Sequence, residues 1–319
     1  MIDPVNDAAI RLTPTYDVDR LQADLARLVG FAHLNEPFQE PGHVGFSLIG
    51  PGGVASSSSS LTAFEPPRPT AALGAAPYLR EVLDGLPCPK SNARIMYMER
   101  HTKLALHTDA PCNFQTGILR LHLPIITSQQ VVMGIADRQY FWGEGELWWG
   151  DFSLPHYVEN NSPIDRAHLI VDAFITEALL ALFPVEFAAR RLAEGVLFYE
   201  PPIRLRPDQL AAFTCEVDLP PGALPRTYDN GQFHEHAGRA QIEVAGDVLV
   251  LTVDGQRALQ LVPVSETAAS TPGEGPCWKI EIAPAAGAER RITILRRGSV
   301  AQPGRGIETR RLELVGRAH

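Results

Sequence analysis

The sequence lacks three features that would each have assigned the chain to a class of protein. Its four cysteines lie far apart and form no Cys-x-x-Cys pair, which argues against a disulfide framework or a zinc knuckle. No run of about 18 uncharged apolar residues occurs that could cross a membrane. The N-terminus, MIDPVNDAAIRL, has no basic stretch followed by an apolar run, so it does not resemble a signal peptide. We therefore expect a cytoplasmic protein in a reducing compartment, with no membrane partner.

The chain also lacks an excess of positive charge. It has 28 lysines and arginines against 37 aspartates and glutamates, which gives a formal net charge of -9. A surface that binds duplex nucleic acid has to neutralise phosphates with basic residues, so we expect no nucleic-acid partner. With 45% hydrophobic and 20% charged residues among 319, the composition is that of an ordinary globular protein with one large core or two smaller ones.

The pattern of apolar residues changes twice along the chain. Two amphipathic helices are predicted near the N-terminus, one capped by Asp17 or Asp19 and one over residues 77–86. Between Ala93 and Thr176, short apolar runs alternate with turn signals, which is typical of a β-sandwich or barrel. GPGGVASSSSS, at residues 50–60, is interpreted as a solvated loop rather than a mobile lid.

The region after about residue 180 is predicted to be different again. A single helix is expected over EALLALFPVEFAARRLAEGV, followed by a second set of strands whose AGD and VDG turns indicate hairpins. The tract 265–276 is interpreted as a loop. The predicted domains are therefore residues 1–195, a β core with N-terminal helices, and residues 196–319, a smaller β-rich domain.

The sharpest local signal is HTD at residues 107–109. Residues two apart in a strand face the same side, so His107 and Asp109 would present an imidazole and a carboxylate to one point. His156 follows in SLPHYVENN. Two histidines and one carboxylate leave three adjacent sites of an iron(II) ion open, which suits a bidentate keto acid and dioxygen. An isolated pair of this kind is also typical of a surface histidine beside a turn aspartate.

Arg166, which opens the strand RAHLIVD, lies ten residues beyond His156. An arginine at that place can clamp the distal carboxylate of 2-oxoglutarate through a bidentate pair. In LRLHL, at residues 119–123, Arg120 and His122 share one face of a strand whose other face is leucine. Such a cationic face is costly unless it meets an anionic ligand or an acidic neighbour. A ligand-binding role is favoured, with a salt bridge on an exposed strand as the alternative.

Together, HTD, RLHL, GEGELWWGDFSLPH and RAHLIVD resemble, in order and spacing, the aspartyl/asparaginyl β-hydroxylase family, including its proline cis-4-hydroxylase-like members. The resemblance covers about 80 residues well. It implies a double-stranded β-helix (jelly-roll) fold and the use of Fe(II), 2-oxoglutarate and O2. It also implies that His107, Asp109 and His156 are the metal ligands, that Arg166 binds 2-oxoglutarate, and that Arg120 and His122 line the cofactor or substrate carboxylates.

The predicted function is therefore hydroxylation of an unactivated C–H bond, with succinate and CO2 as co-products. The substrate is either a free amino acid, such as proline, or an aspartyl or asparaginyl residue in a peptide. The alternative is a non-catalytic, cupin-like protein that binds a metal or keto acid, or acts as a sensor. His43, Arg94 and Arg100 are further candidates for the pocket, although each is more typical of a surface residue.

Overall fold

The computed structural model describes residues 8–34, 36–38, 40–55, 65–109, 112–225, 227–229, 232–273, 275–283, 289–299 and 307–318. The chain divides into two compact units, and the main change along the chain falls between Phe198 and Tyr199. Both units are built mostly from strands, and the predicted mainly β fold class is confirmed. No helix within the described residues is long and apolar enough to span a membrane.

The first unit contains twelve of the described strands. They are β1 (Ala9–Thr15), β2 (Glu36–Phe38), β3 (Glu40–Pro51), β4 (Pro67–Pro69), β5 (Lys90–Met98), β6 (Thr102–His107), β7 (Ile118–Ile126), β8 (Val131–Ile135), β9 (Arg138–Tyr140), β10 (Glu146–Gly150), β11 (His156–Asn160) and β12 (Arg166–Phe174). Its helices are α1 (Val18–Arg27), α2 (Ala71–Gly74), α3 (Pro77–Gly85), α4 (Glu177–Leu180) and α5 (Val185–Glu194). A 3₁₀ helix, Leu28–Leu34, follows α1.

The strands of this unit form two sheets whose members alternate along the chain. The larger sheet runs β1-β10-β7-β12-β5-β3-β2, and β4 pairs with β3. The smaller sheet runs β6-β11-β8-β9. From β5 to β12 the chain passes back and forth between the two sheets, with β8 and β9 following each other in the smaller one. Strands β10, β11 and β12 each add antiparallel to earlier strands. This winding is the double-stranded β-helix predicted from the resemblance.

The two faces of the larger sheet bury different side chains. On β7, Leu119, Leu121 and Leu123 belong to the main apolar cluster, together with the buried faces of α1, α3 and α5. The alternating residues Arg120 and His122 point to the opposite face, toward the smaller sheet, because successive side chains of a strand alternate. A separate apolar cluster lies on that side, formed by residues such as Met133, Phe152 and Val158. The polar side of the sheet is therefore the interior of the jelly roll.

The helices begin and end largely where the sequence indicated. Asp17 caps α1, its carboxylate accepting a hydrogen bond from the Arg20 backbone N–H at 3.1 Å. The single helix predicted over residues 177–196 is wrong, because α4 ends at Leu180 and α5 begins at Val185. Pro184 lies at the N-cap of α5 and has no N–H to donate, so one continuous helix cannot pass through it.

The second unit is a closed barrel of eight strands that follow α6 (Pro207–Ala211). The barrel strands are β13 (Cys215–Leu219), β16 (Gly238–Ala245), β17 (Val248–Val253), β18 (Gln256–Pro263), β19 (Ala268–Ser270), β20 (Trp278–Ile282), β21 (Glu289–Ser299) and β22 (Ile307–Ala318). A small hairpin, β14 (Thr227–Asp229) with β15 (Gln232–His234), precedes β16, and a 3₁₀ turn, Gly275–Cys277, precedes β20. Closure leaves this sheet without an unpaired edge.

Both predicted hairpins of the barrel are present. The VDG turn joins β17 to β18 with Asp254 and Gly255 at φ 49° and 76°, the pair of positive values that a type I′ turn requires. The loop predicted over residues 265–276 is wrong in part, because β19 lies within it and pairs with β18 and β20. In the predicted loop at 50–60, β3 ends at Pro51 and a turn follows, while residues 56–60 lie outside the described residues.

Candidate metal and keto-acid site

The interior face of the larger sheet carries an unusual set of charged side chains. Strand β12, RAHLIVDAF, is buried along its whole length. Its alternate residues Leu169 and Val171 join the main apolar cluster, so Arg166, His168 and Asp172 face the jelly-roll interior. Burying charge on both ends of one strand is costly unless each group is paired or meets a ligand.

The structure brings His107, Asp109 and His156 together. Their ligand atoms all lie within 4.8 Å of one another. His107 Nε2 is 3.5 Å from Asp109 Oδ1, and His156 Nε2 is 3.9 Å from Asp109 Oδ2. The two histidines are directly paired across β6 and β11, and their ring centroids are 4.1 Å apart. One ion can therefore be contacted by both rings and the carboxylate.

Both imidazole rings are oriented by the backbone in the same way. His107 Nδ1 lies 2.7 Å from the carbonyl oxygen of Ala105, and His156 Nδ1 lies 2.9 Å from that of Leu154. A carbonyl accepts only, so each Nδ1 carries the proton and each Nε2 presents its lone pair to the centre of the triad. This arrangement of the outer hydrogen bonds is the usual one for histidines that ligate a metal. The donor set thus fits the iron site that the resemblance implies.

Asp109 reaches the site by a different route from the one predicted. Strand β6 ends at His107, so Asp109 is not placed by strand alternation. Its backbone N–H instead donates to the carbonyl of Phe152 at 3.0 Å, which fixes the segment after β6 to the chain before β11. The carboxylate is in turn contacted by the Arg120 guanidinium.

The environment favours the metal-binding protonation state at Asp109 and His156, but not at His107. Burial raises the pKa of Asp109, but the positive charge of Arg120 outweighs it and holds that pKa well below its usual range. Burial lowers the pKa of His156, so its ring is neutral near pH 7. The hydrogen bond with Asp109 raises the pKa of His107, and a bound cation would oppose that protonation.

Arg166 lies at the opposite end of the same cavity, and its side chain is 2% exposed. Its Nε and Nη2 lie 3.0 and 2.8 Å from the ring nitrogens of His168, and no carboxylate among the described residues is paired with it. Burial lowers the pKa of Arg166 to about 9. An anion in the cavity would supply the missing counter-charge, and would do so best in a bidentate pair.

The two residues predicted from LRLHL have separate surroundings. His122 lines the cavity, and its buried Nε2 has no hydrogen-bond partner among the described residues. Burial, followed by the charge of Arg166, lowers the pKa of His122 well below its usual value. Arg120 also lines the cavity but is engaged by Asp172, from Nε to Oδ1 at 2.7 Å, and by Asp109. The salt-bridge alternative therefore holds for Arg120, although the pair is buried rather than exposed.

Two other charged residues were missed or misplaced by the sequence analysis. From the sequence, Asp172 was noted only as the last residue of RAHLIVD. In the structure it is a buried carboxylate between two arginines. Arg94, like His43, was expected at the surface, and both are buried and line the cavity. Arg100, the third candidate, is exposed in the turn after β5. A charged residue inside the apolar run RIMYM was the signal that could have identified Arg94.

A close approach of two strands supports the second histidine. Gly134 on β8 is paired with Tyr157, the residue after His156 on β11. A Cβ on residue 134 would overlap the Tyr157 ring. The Tyr157 hydroxyl accepts a hydrogen bond from Gln139 at 2.7 Å, which holds the ring over the glycine.

These side chains line one cavity. Its walls combine the triad, the three arginines and His122 with apolar side chains, among them Leu104, Met133, Phe152 and Val158. Small-molecule sites typically have this mixture of apolar walls with a few convergent polar groups. The cavity joins the metal ligands at one end to Arg166 at the other.

A double-stranded β-helix with this His-Asp-His site defines the class of the protein, which is an iron(II)- and 2-oxoglutarate-dependent oxygenase. Residues 60–175 match the model of the aspartyl/asparaginyl β-hydroxylase family. The match includes all four motifs on which the resemblance was based. It confirms the family predicted from the sequence, together with Fe(II), 2-oxoglutarate and O2 as the reactants of the class.

Two solved structures illustrate what the chain is similar to. One is an oxidoreductase of the 2OG-Fe(II) oxygenase family from Burkholderia pseudomallei, at 14% identity over 52% of this chain and 84% of that chain, with a TM-score of 0.37. The other is a prolyl-4-hydroxylase from Pseudomonas putida, at 15% identity over 53% of this chain and 93% of that chain, with a TM-score of 0.32.

Proposed function

We propose that the protein hydroxylates an unactivated C–H bond of a free amino acid or of an amino-acid residue, and that it forms succinate and CO2 from 2-oxoglutarate. The observation that carries the proposal is the pairing, in one cavity, of the His-Asp-His cluster with a buried arginine that has no carboxylate partner among the described residues. The reaction would take place in a domain of residues 1–195.

His107, Asp109 and His156 would hold the iron through two Nε2 atoms and a carboxylate oxygen. When bound, iron(II) with 2-oxoglutarate and dioxygen supplies the oxidant for the C–H bond. The protein keeps both Nδ1 protons on backbone carbonyls, so the two rings cannot rotate away from the metal. This geometry leaves one side of the ion to the small reactants.

Arg166 would bind the distal carboxylate of 2-oxoglutarate. Its guanidinium is already dehydrated, so a carboxylate that reaches it forms a charge-assisted pair in a medium where such a pair is strong. The free Nε2 of His122, on the same wall, would meet a carboxylate of the keto acid or the substrate. The apolar side chains between the two ends would exclude water from the reacting bond.

Two substrates remain to be separated by experiment, the free amino acid and the residue in a peptide. The complete His-Asp-His triad, which the proline cis-4-hydroxylase-like members of the resembled family also have, supports the free amino acid as the first choice. A peptide whose single side chain enters the cavity is the second.

The test is succinate formation by the purified full chain with iron(II), ascorbate, 2-oxoglutarate and a panel of amino acids and short peptides. We expect one substrate to raise succinate release, and His107→Ala and Asp109→Ala to lower it by at least about a thousandfold, since each removes a metal ligand. Asp137→Ala, at an exposed turn after β8, is the matched control and should retain wild-type turnover.

The absorption spectrum of the anaerobic complex distinguishes the hydroxylase from the alternative, a non-catalytic binding or sensor protein. A charge-transfer band on adding 2-oxoglutarate and iron(II), lost in the His107 and Asp109 variants, is expected whatever the substrate. A band with no turnover on an extended panel would favour a metal- and keto-acid-binding or sensor protein. Absence of both band and turnover in the wild-type chain would show that the proposal is wrong.

A further inference from the structure

A chain of four alternating charges leads from the interior of the larger sheet to the metal site. Arg94 Nη1 is 2.8 Å from Asp172 Oδ2, and Arg120 Nε and Nη2 are 2.7 and 3.1 Å from the two oxygens of Asp172. Arg120 Nη1 then contacts Asp109 Oδ2. The side chains of Arg94 and Asp172 are 3% and 4% exposed, so water screens little of this interaction.

The sheet itself fixes this order. Strands β5, β12 and β7 are adjacent, and Asp172 on β12 is directly opposite Arg120 on β7 and Asn92 on β5. Asn92 Oδ1 accepts a hydrogen bond from Arg94 Nη1 at 2.9 Å, which holds that guanidinium beside Asp172. The partners of Asp172 are therefore set by strand pairing and not by flexible loops.

The charges of the four groups cancel. The two arginines contribute +2 and the two aspartates −2, so the environment of the metal ligand Asp109 is neutral before an ion binds. Without Asp172, two guanidiniums and one carboxylate would remain, a net charge of +1 beside a site for a divalent cation. The Asp109 oxygen that Arg120 contacts would also be drawn toward the arginine and away from the ion.

We propose that Asp172 is a positioning residue of the metal site. It holds Arg120 against one oxygen of Asp109, Oδ2, so that the carboxylate turns its other oxygen, Oδ1, toward His107. It also cancels the positive charge that two buried arginines would otherwise place beside the ion. The inference rests on the proposed function, because it assigns the metal to the His-Asp-His cluster.

The test is metal affinity, measured on the purified full chain with Mn(II) alone, by calorimetry or by the electron paramagnetic resonance signal of the free ion. We expect Asp172→Asn to weaken Mn(II) binding by about 10- to 100-fold, the usual cost of removing an outer partner of a ligand. Asp24→Asn is the matched control. Asp24 is equally buried and accepts hydrogen bonds from the backbone N–H groups of Tyr78 and Leu79, but its ion-pair partner is Arg27 and not Arg94 or Arg120.

A double variant separates charge cancellation from packing. Arg94→Gln combined with Asp172→Asn removes one positive and one negative charge, so we expect it to bind Mn(II) at least about threefold more tightly than Asp172→Asn alone. If Asp172 only supports the fold, the second substitution can only weaken binding further. Thermal unfolding of all variants, read by circular dichroism, shows that the comparison is made on folded protein.

The outcomes are distinct. Wild-type affinity in Asp172→Asn, or a double variant no tighter than the single one, would overturn the inference and leave the proposed function intact. A wild-type chain that binds no Mn(II) would instead contradict the assignment of the metal site, and with it the proposed function.

Discussion

The two β units bury opposite kinds of side chain. Among the described residues, the barrel buries only hydroxyls in addition to apolar groups, namely Ser270, Thr271 and Thr293. The jelly roll buries full charges and imidazoles, which are Asp24, His43, Arg94, His122, His156, Arg166, His168 and Asp172. Both units are mostly strand, so the difference does not come from secondary structure.

The difference shows where ligand binding has shaped the sequence. In the barrel, the largest interior side chain, Trp278, is buried and donates its Nε1–H to the carbonyl of Ala223 at 3.0 Å, and Arg290 Nε is the one buried side-chain polar atom without a partner among the described residues. In the jelly roll, buried polar atoms such as His122 Nε2 and Trp142 Nε1 have no partner among the described residues. An unsatisfied buried polar group costs about 1–3 kcal/mol, so an interior that keeps several is one that a ligand completes.

The strongest way to break this contrast is to place a charge in the barrel. Leu259 on β18 is fully buried in the barrel cluster. We expect Leu259→Arg to lower the free energy of unfolding by about 4 kcal/mol or more, because no anion awaits the guanidinium there. Urea unfolding measures the loss. Gln256→Arg, at the exposed start of the same strand, should change it by less than about 0.5 kcal/mol. Equal stability of the two variants would show that the barrel tolerates buried charge.

Removing a charge from the jelly roll should have the opposite effect on stability. Arg166→Met is expected to raise the unfolding free energy of the metal-free protein by about 1 kcal/mol, because it removes a buried cation without a carboxylate partner. The same change should weaken 2-oxoglutarate binding by about 30-fold or more, since a buried charge-assisted pair is worth about 2–5 kcal/mol. Urea unfolding measures the change in stability, and titration with 2-oxoglutarate in the presence of Mn(II) measures the change in affinity. The exposed Arg20→Met is the control, and unchanged 2-oxoglutarate affinity in Arg166→Met would contradict the assignment of this arginine.

The smallest expected effect is a dependence of stability on pH. Burial, and then the charge of Arg166, lowers the pKa of His168 well below its usual value, whereas the unfolded chain should have a pKa of about 6.5. The unfolded state therefore binds more protons below that pH, so stability is complete above about pH 6.5 and falls as the pH decreases toward the folded pKa. Between pH 7.5 and 5.5 we expect His168 to account for a loss of about 1.4 kcal/mol in the metal-free protein.

His168→Gln should remove that part of the loss, and comparing the variant with the wild type cancels the contribution of histidines that do not interact with His168. Urea unfolding at the two pH values provides the measurement. The same decrease in both proteins would mean that His168 is already protonated in the folded state. The buried histidine would then give the jelly roll no pH dependence of stability that the barrel lacks.

From β5 onward, the strands of the jelly roll were largely predictable, because most are short apolar runs between turn signals, whereas β2, β3 and β4 were not predicted. The exceptions have a physical reason. Strand β11, HYVEN, alternates buried and half-buried residues and contains three polar ones, so its composition does not indicate a strand. In the barrel, β13 and β22 were missed because acidic and basic residues alternate with the apolar ones, which local patterns do not distinguish from a loop.

The site was predictable where chemistry depends on residue type and order, and not where it depends on strand register. The triad and Arg166 were recognised from motifs in the sequence. The pairing of Asp172 with both Arg120 and Arg94 requires three strands to lie side by side in a particular register. Along the chain, Arg120 is 52 positions and Arg94 is 78 positions from Asp172. A strand buried on both faces that still contains Arg, His and Asp was the only local sign of this network.

The glycine opposite Tyr157 has a consequence for anyone who wishes to alter the substrate by directed evolution. Gly134 contributes no functional group, yet any side chain larger than hydrogen there would displace the tyrosine ring and with it the strand that presents His156. A library that randomises β8 would therefore lose most of its active members at this single codon. Diversity is better placed at residues whose side chains line the cavity, such as Leu104 on β6 and Met133 on β8, with Gly134 kept fixed.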